Sequence, residues 1–109
     1  MGELEIILRG VPASAGQAKG VVKIIISPQD INKMDDGNIL IAPLTNPQLM
    51  PAIMKAAAIV TEIGGILSHA AIVSREFGIP CVVGAKGATE ILKDGMEVTV
   101  NGTEGTVLR

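Results

Sequence analysis

The residue best suited to covalent chemistry is His69, the only histidine in the chain, within Gly64-Gly65-Ile66-Leu67-Ser68-His69-Ala70-Ala71. A glycine pair leads into the first turn of an expected helix. The imidazole would therefore lie beside free backbone N–H groups and the positive end of the helix dipole, a setting that suits an anion. A neutral imidazole there can act as a nucleophile, and attack on phosphorus would leave the phosphate on donors already aimed at it. A lone histidine at a helix start otherwise caps or packs, so its surroundings decide between the roles.

Other chemistries have less to work with. Cys81 is the single cysteine, with no partner for an internal disulfide, and its setting in Ile79-Pro80-Cys81-Val82-Val83 reads as a buried thiol. One His and one Cys do not assemble a metal site, and no acidic cluster stands out. A net charge of −2, scattered Lys and Arg, and one aromatic residue, Phe77, argue against a nucleic-acid surface. Met1-Gly2-Glu3-Leu4-Glu5 lacks the basic start and long apolar stretch of a signal peptide. No run approaches membrane-spanning length, so a soluble cytoplasmic protein is expected.

The elements that must position His69 form a mixed α/β order. With 109 residues, 48% of them hydrophobic, the chain suits one compact domain, residues 1–109. Leu4 to Arg9 and Val21 to Ile26 are β-branched-rich strands flanking a small-residue loop, Gly10 to Gly20. Ser27-Pro28 opens a short helix to about Met34. Asn38 to Ala42 is an apolar strand, followed by the loop Pro43-Leu44-Thr45-Asn46-Pro47, and Gln48 to Ala57 reads as a helix that Pro51 starts or kinks. Ala58 to Thr61 is a strand, Ser68 to Phe77 a helix stopped by Gly78 and Pro80, and Cys81 to Val83 a strand. Thr89 to Lys93 forms another helical turn. Met96 to Val100, Asn101-Gly102 and Thr106 to Leu108 close the chain as a hairpin. Short strands without alternation predict burial on both faces in a parallel sheet, while the alternating terminal strands suit an antiparallel one. A layered α/β sandwich follows.

The stretch from Thr61 to Gly84 closely resembles the phosphohistidine signature of the phosphoenolpyruvate (PEP)-utilising enzymes, which include phosphoenolpyruvate synthase, pyruvate phosphate dikinase and enzyme I. Gly10-Val11-Pro12-Ala13-Ser14-Ala15-Gly16 is similar to the family's glycine-rich opening, Pro43 to Pro47 falls where it has a Thr-containing loop, and Lys93-Asp94-Gly95 with Val98 to Gly105 matches its closing segment. Two departures are Leu67, where threonine commonly precedes Ser-His, and Ala15, where proline is usual.

The resemblance implies a three-layer β/β/α swivelling domain, with a central mainly parallel sheet and a second antiparallel sheet, that carries phosphate on a histidine. His69 would be the phosphorylated residue, through Nε2, with Thr45, Gly64, Gly65 and Ser68 around the phosphate. Thr45 would supply a hydroxyl near the histidine, the glycines would allow close backbone approach, and Ser68 would cap the helix or bond the phosphate. Arg75, six residues on and off the His69 face, would make a surface ion pair or meet a partner domain. The domain itself would hold no cofactor. Mg²⁺ and ATP or phosphoenolpyruvate would lie on nucleotide-binding and PEP- or pyruvate-binding partner domains or subunits, acting with this chain in trans. The rival reading is a noncatalytic regulatory or interaction module, like the extra domain of some pyruvate kinases; a third is an excised piece of a larger enzyme.

Overall fold

The computed structural model describes residues 3–109. In chain order the strands are β1 (Ile6–Arg9), β2 (Val11–Ser14), β3 (Gln17–Ile24), β4 (Ile39–Ala42), β5 (Ala58–Thr61), β6 (Cys81–Val83), β7 (Glu97–Asn101) and β8 (Thr106–Leu108). The helices are α1 (Met50–Ile53), α2 (His69–Phe77) and α3 (Ala88–Ile91), and 3-10 turns occupy Pro28–Lys33 and Pro47–Leu49. Every residue of β4, β5 and β6 is buried, which is why these strands lack polar alternation.

Successive side chains on a strand point to opposite faces, so each of these strands feeds two cores. Leu40, Ala42, Ile59, Cys81 and Val83 meet Ala52, Ile53, Ala70, Ala71 and Val73 of α1 and α2. Ile39, Ile41, Ala58, Val60 and Val82 meet Leu8, Val98, Val100 and Val107 of the antiparallel strands, together with Ala88 and Leu92 around α3. Helices, parallel strands and antiparallel strands thus form three layers. Each fully buried Ile or Leu between them contributes about 1.5–3 kcal/mol.

The two strand layers are one eight-stranded sheet in the order β1-β8-β7-β3-β4-β5-β6-β2. Strand β3 passes between them: Gln17–Val21 pairs antiparallel with β7, and Val22–Ile24 pairs parallel with β4. Strands β4, β5 and β6 continue the parallel set, and β2 closes it antiparallel. The second antiparallel sheet expected from sequence is therefore continuous with the first. Strands β1 and β2 occupy the two outer edges, although only Gly10 separates them in sequence. A Cβ at Gly10 would lie 2.6 Å from the Val83 carbonyl oxygen, so only glycine fits that corner.

Several expectations need correcting. The expected loop from Gly10 to Gly20 contains β2 and the start of β3, because its small residues pair with β6 and β7. The expected helix from Gln48 to Ala57 is a 3-10 turn followed by the four-residue α1, as the prolines at 47 and 51 allow few regular helical bonds. Pro28–Lys33 is likewise a 3-10 turn, its entry held by the Asp30 carboxylate, which accepts from the amides of Ile26 and Ser27. The closing helical turn spans Ala88–Ile91 rather than Thr89 to Lys93.

Candidate functional site

The loops that follow β4, β5 and β6 emerge at the same edge, the carboxyl ends of the parallel strands, where open α/β sheets place their ligands. The loop after β4 carries Thr45, and the loop after β5 leads to His69. Pairing of β4 with β5 continues into these loops: the Glu62 amide donates to Ala42 O (3.1 Å) and the Ile63 amide to Pro43 O (2.9 Å). Thr61, fully buried, turns the second loop by donating its hydroxyl to Ile63 O (3.0 Å).

His69 is the first residue of α2 and half-buried. Ser68 has extended backbone angles and caps the helix, its Oγ accepting from the Ala71 amide at 3.5 Å. Gly78 ends the helix in the left-handed conformation. The Thr45 hydroxyl, from a residue 6% exposed, lies 2.8 Å from His69 Nδ1. Asn46 fixes the chain just beyond by accepting from the Gln48 amide (2.9 Å).

Gly64 has φ +126°, and a Cβ there would come within 2.9 Å of Ser68 Cβ. The missing side chain thus makes room for the cap that starts α2. Gly65 differs: a Cβ there would meet nothing within 4 Å. Among the described residues, no protein acceptor takes the amides of Gly64, Gly65, Ile66 or Leu67. The loop therefore offers a run of free donors next to the helix start, the arrangement that binds anions.

Among the described residues Arg75 makes no ion pair. Its guanidinium reaches back along α2 and donates to two carbonyls, Ile66 O (2.6 Å) and Ala13 O (2.9 Å). Reading helical faces from Cα positions missed this, because a long side chain directed toward the helix N-terminus spans more than a turn. Glu62, the carboxylate nearest His69 in sequence, instead accepts from the Thr89 amide (2.9 Å) and hydroxyl (2.7 Å) and ties the site to α3.

Behind α2, Cys81 is fully buried, and burial pushes its thiol up to about 11 against the opposing effects of the Ser74 hydroxyl and the Arg75 charge. Among the described residues, no group of three or more His, Cys, Asp or Glu side chains is placed to hold a metal ion. A surface concavity of about 550 Å³ beside Ala13, Arg75 and Thr103 is lined without His69 or Thr45. The imidazole is half-buried, and Leu44, Ile63, Ile66 and Leu67 in the two loops that carry Thr45 and lead to His69 are exposed. Leu67, where threonine commonly precedes Ser-His in the family, is 82% exposed and puts an apolar group on the loop surface. No helix among the described residues is long and apolar enough to cross a membrane.

The three layers and the histidine at the start of α2 define a β/β/α domain with its candidate residue beside the carboxyl ends of the parallel strands. Residues 34–105 match the family described as PEP-utilising enzyme, mobile domain, and the chain belongs to that family. It is 54% identical over 105 residues to a probable phosphoenolpyruvate synthase of Archaeoglobus fulgidus, covering 96% of this chain and 14% of that protein. It is 55% identical over 107 residues to the phosphoenolpyruvate synthase of Pyrococcus furiosus, covering 98% of this chain and 13% of that protein. The chain thus spans about one seventh of the length of these relatives. A solution structure of enzyme I superposes with TM-score 0.61 at 32% identity, over 71% of this chain and 32% of that one. Aconitase X of Thermococcus kodakaraensis, with TM-score 0.62 and 20% identity over 97% of each chain, shares the fold alone.

Proposed function

We propose that this domain carries a phosphoryl group on His69 between two partner domains. The observation that carries the reading is the Thr45–His69 contact, 2.8 Å at Nδ1, at a helix start whose preceding amides are free. In the tautomer that Thr45 Oγ1 accepts from, the proton is on Nδ1 and the Nε2 lone pair is free. Nε2 attacks phosphorus as the bond from phosphorus to the donor oxygen breaks, and that electron pair leaves with the donor. No proton leaves the ring, because Nδ1 keeps its own. The developing positive charge on the imidazole is shared with the Thr45 oxygen, and the free amides of the Gly64–Leu67 loop meet the phosphate oxygens. Transfer to an acceptor reverses these events.

Donor and acceptor belong to the partners: a nucleotide polyphosphate or an enol phosphate on one side and an acceptor such as pyruvate on the other, with Mg²⁺ held there rather than here. An imidazole that is only half-buried suits this role, since it must meet two partners in turn. A relative 40% identical over 98 residues is named rifampicin phosphotransferase. We infer that acceptor choice rests on the other domains.

The test is labelling. A phosphorylating partner with its nucleotide or phosphoenolpyruvate should give an acid-labile, base-stable adduct on this domain, which His69→Ala abolishes while the fold is retained. An acid-stable phosphate ester on Ser68 or Thr45 would overturn the assignment, because phosphoramidates hydrolyse in acid and esters do not.

A further inference from the structure

We propose that Arg75 is a positioning residue for the His69 loop, linking the small-residue opening of the chain to the phosphate cradle; this rests on the carrier reading above. The guanidinium makes one bond to Ala13 O in β2 and one to Ile66 O, three residues before His69. Among the described residues no carboxylate pairs with it. An arginine on a protein surface ordinarily faces water or an acid, yet this one places its fork on two main-chain oxygens from segments 53 residues apart.

The consequence lies in the peptide unit it holds. A trans peptide points its C=O and N–H in opposite directions. Fixing the Ile66 carbonyl on Arg75 therefore turns the Leu67 N–H to the opposite side of the loop, where it has no protein acceptor. The segment needs such an anchor. Its own bonds are one turn, Ser68 N to Gly65 O at 3.0 Å, with the staple of Ile63 to Pro43 and the Thr61 hydroxyl on Ile63 O at its start, so that none reaches Ile66 or Leu67. The side chains of Ile66 and Leu67 are exposed and hold nothing in place. Arg75 supplies the missing constraint from outside, and β2 supplies the fixed point. Lysine would keep the charge but could not span both carbonyls with a rigid planar fork.

The experiment uses the whole chain. In phosphate-free protein, Arg75→Met should shift the Leu67 amide and the His69 ring ¹⁵N resonances, while Arg9→Met, a charge removal on β1, should leave them alone. With phosphoramidate as donor, Arg75→Met should slow formation of the His69 adduct by about 10- to 100-fold, the scale of a misplaced reacting group. Arg75→Lys should fall between it and the unaltered protein. If Arg75→Met does not fold, Arg75→Lys decides by the same readouts. Unchanged His69 ring signals together with an unaltered rate would overturn the proposal. If the unaltered protein never takes phosphate on His69, the carrier reading fails, yet the ring resonances of Arg75→Met still decide whether Arg75 positions the imidazole.

Discussion

Thr45 Oγ1 and His69 Nδ1 lie 2.8 Å apart although 24 residues separate them, because β4 and β5 are parallel neighbours whose following loops leave the sheet side by side. That hydrogen bond engages Nδ1, and among the described residues Nε2 has no protein partner.

Removing that bond should affect chemistry more than folding. Thr45→Val keeps the shape of a buried side chain and deletes the hydroxyl. One neutral hydrogen bond is worth about 0.5–1.5 kcal/mol, so phosphoryl transfer should slow by up to about tenfold. Thr45→Ser should retain most of the rate. Rapid-quench labelling measures both, and ¹⁵N NMR of the ring should show Nδ1 losing its partner only in the valine variant.

The two glycines before the helix should respond differently to the same change. Gly64→Ala forces an L side chain into φ +126° and against Ser68, so it should destabilise the protein by about 1–3 kcal/mol and disturb the cap of α2. Gly65→Ala meets open space and should stay within about 0.5 kcal/mol of the parent. Urea denaturation of the pair provides the comparison, and equal stabilities would contradict the packing described for Gly64.

Asp94 should contribute to the acid limb of the stability curve. Desolvation pushes its carboxyl up, but the Lys33 ammonium (2.7 Å), the Ile24 amide (2.6 Å) and the nearby Lys23 charge together outweigh it and hold the group below the ordinary carboxylate range. A folded value below the unfolded one means that the stabilisation is complete above the unfolded value and disappears as pH falls through the folded value. Asp94→Asn should flatten the acid side of a plot of unfolding free energy against pH, and lower stability near neutrality. Parallel curves for the two proteins would contradict this.

Cys81 should be chemically silent in the native state. Its thiol is fully buried and pushed up to about 11, so little thiolate forms at pH 8. A chromogenic disulfide reagent should react only as fast as the protein opens, and should accelerate to the free-thiol rate in denaturant. Rapid native labelling would place the thiol nearer the surface than the fold does.

What could be read from sequence divides along local and non-local lines. The Ser68 start and Gly78 stop of α2 were legible because caps are local. Strands β4 to β6 were legible because unbroken apolar runs report burial on both faces. Strand β2 was not: Val11-Pro12-Ala13-Ser14 has neither strand composition nor alternation, and becomes a strand only by pairing with β6, some 70 residues away. Thr45 was visible only through family resemblance, since no pattern in the chain connects a loop hydroxyl to an imidazole two elements later. Arg75 was visible as a residue but not as a strut, because its acceptors are main-chain oxygens that no side-chain motif records.

Sheet proteins run the risk that an unpaired edge recruits a strand from another molecule. Here the two outermost strands are consecutive pieces of one chain, turned at Gly10, and each offers only four residues. Pro12 removes a donor from one of them. A second molecule adding a strand along either border would run out of partner after a few residues, at a corner with no space for a side chain. The fold thus denies neighbours a border on which to build a fibril.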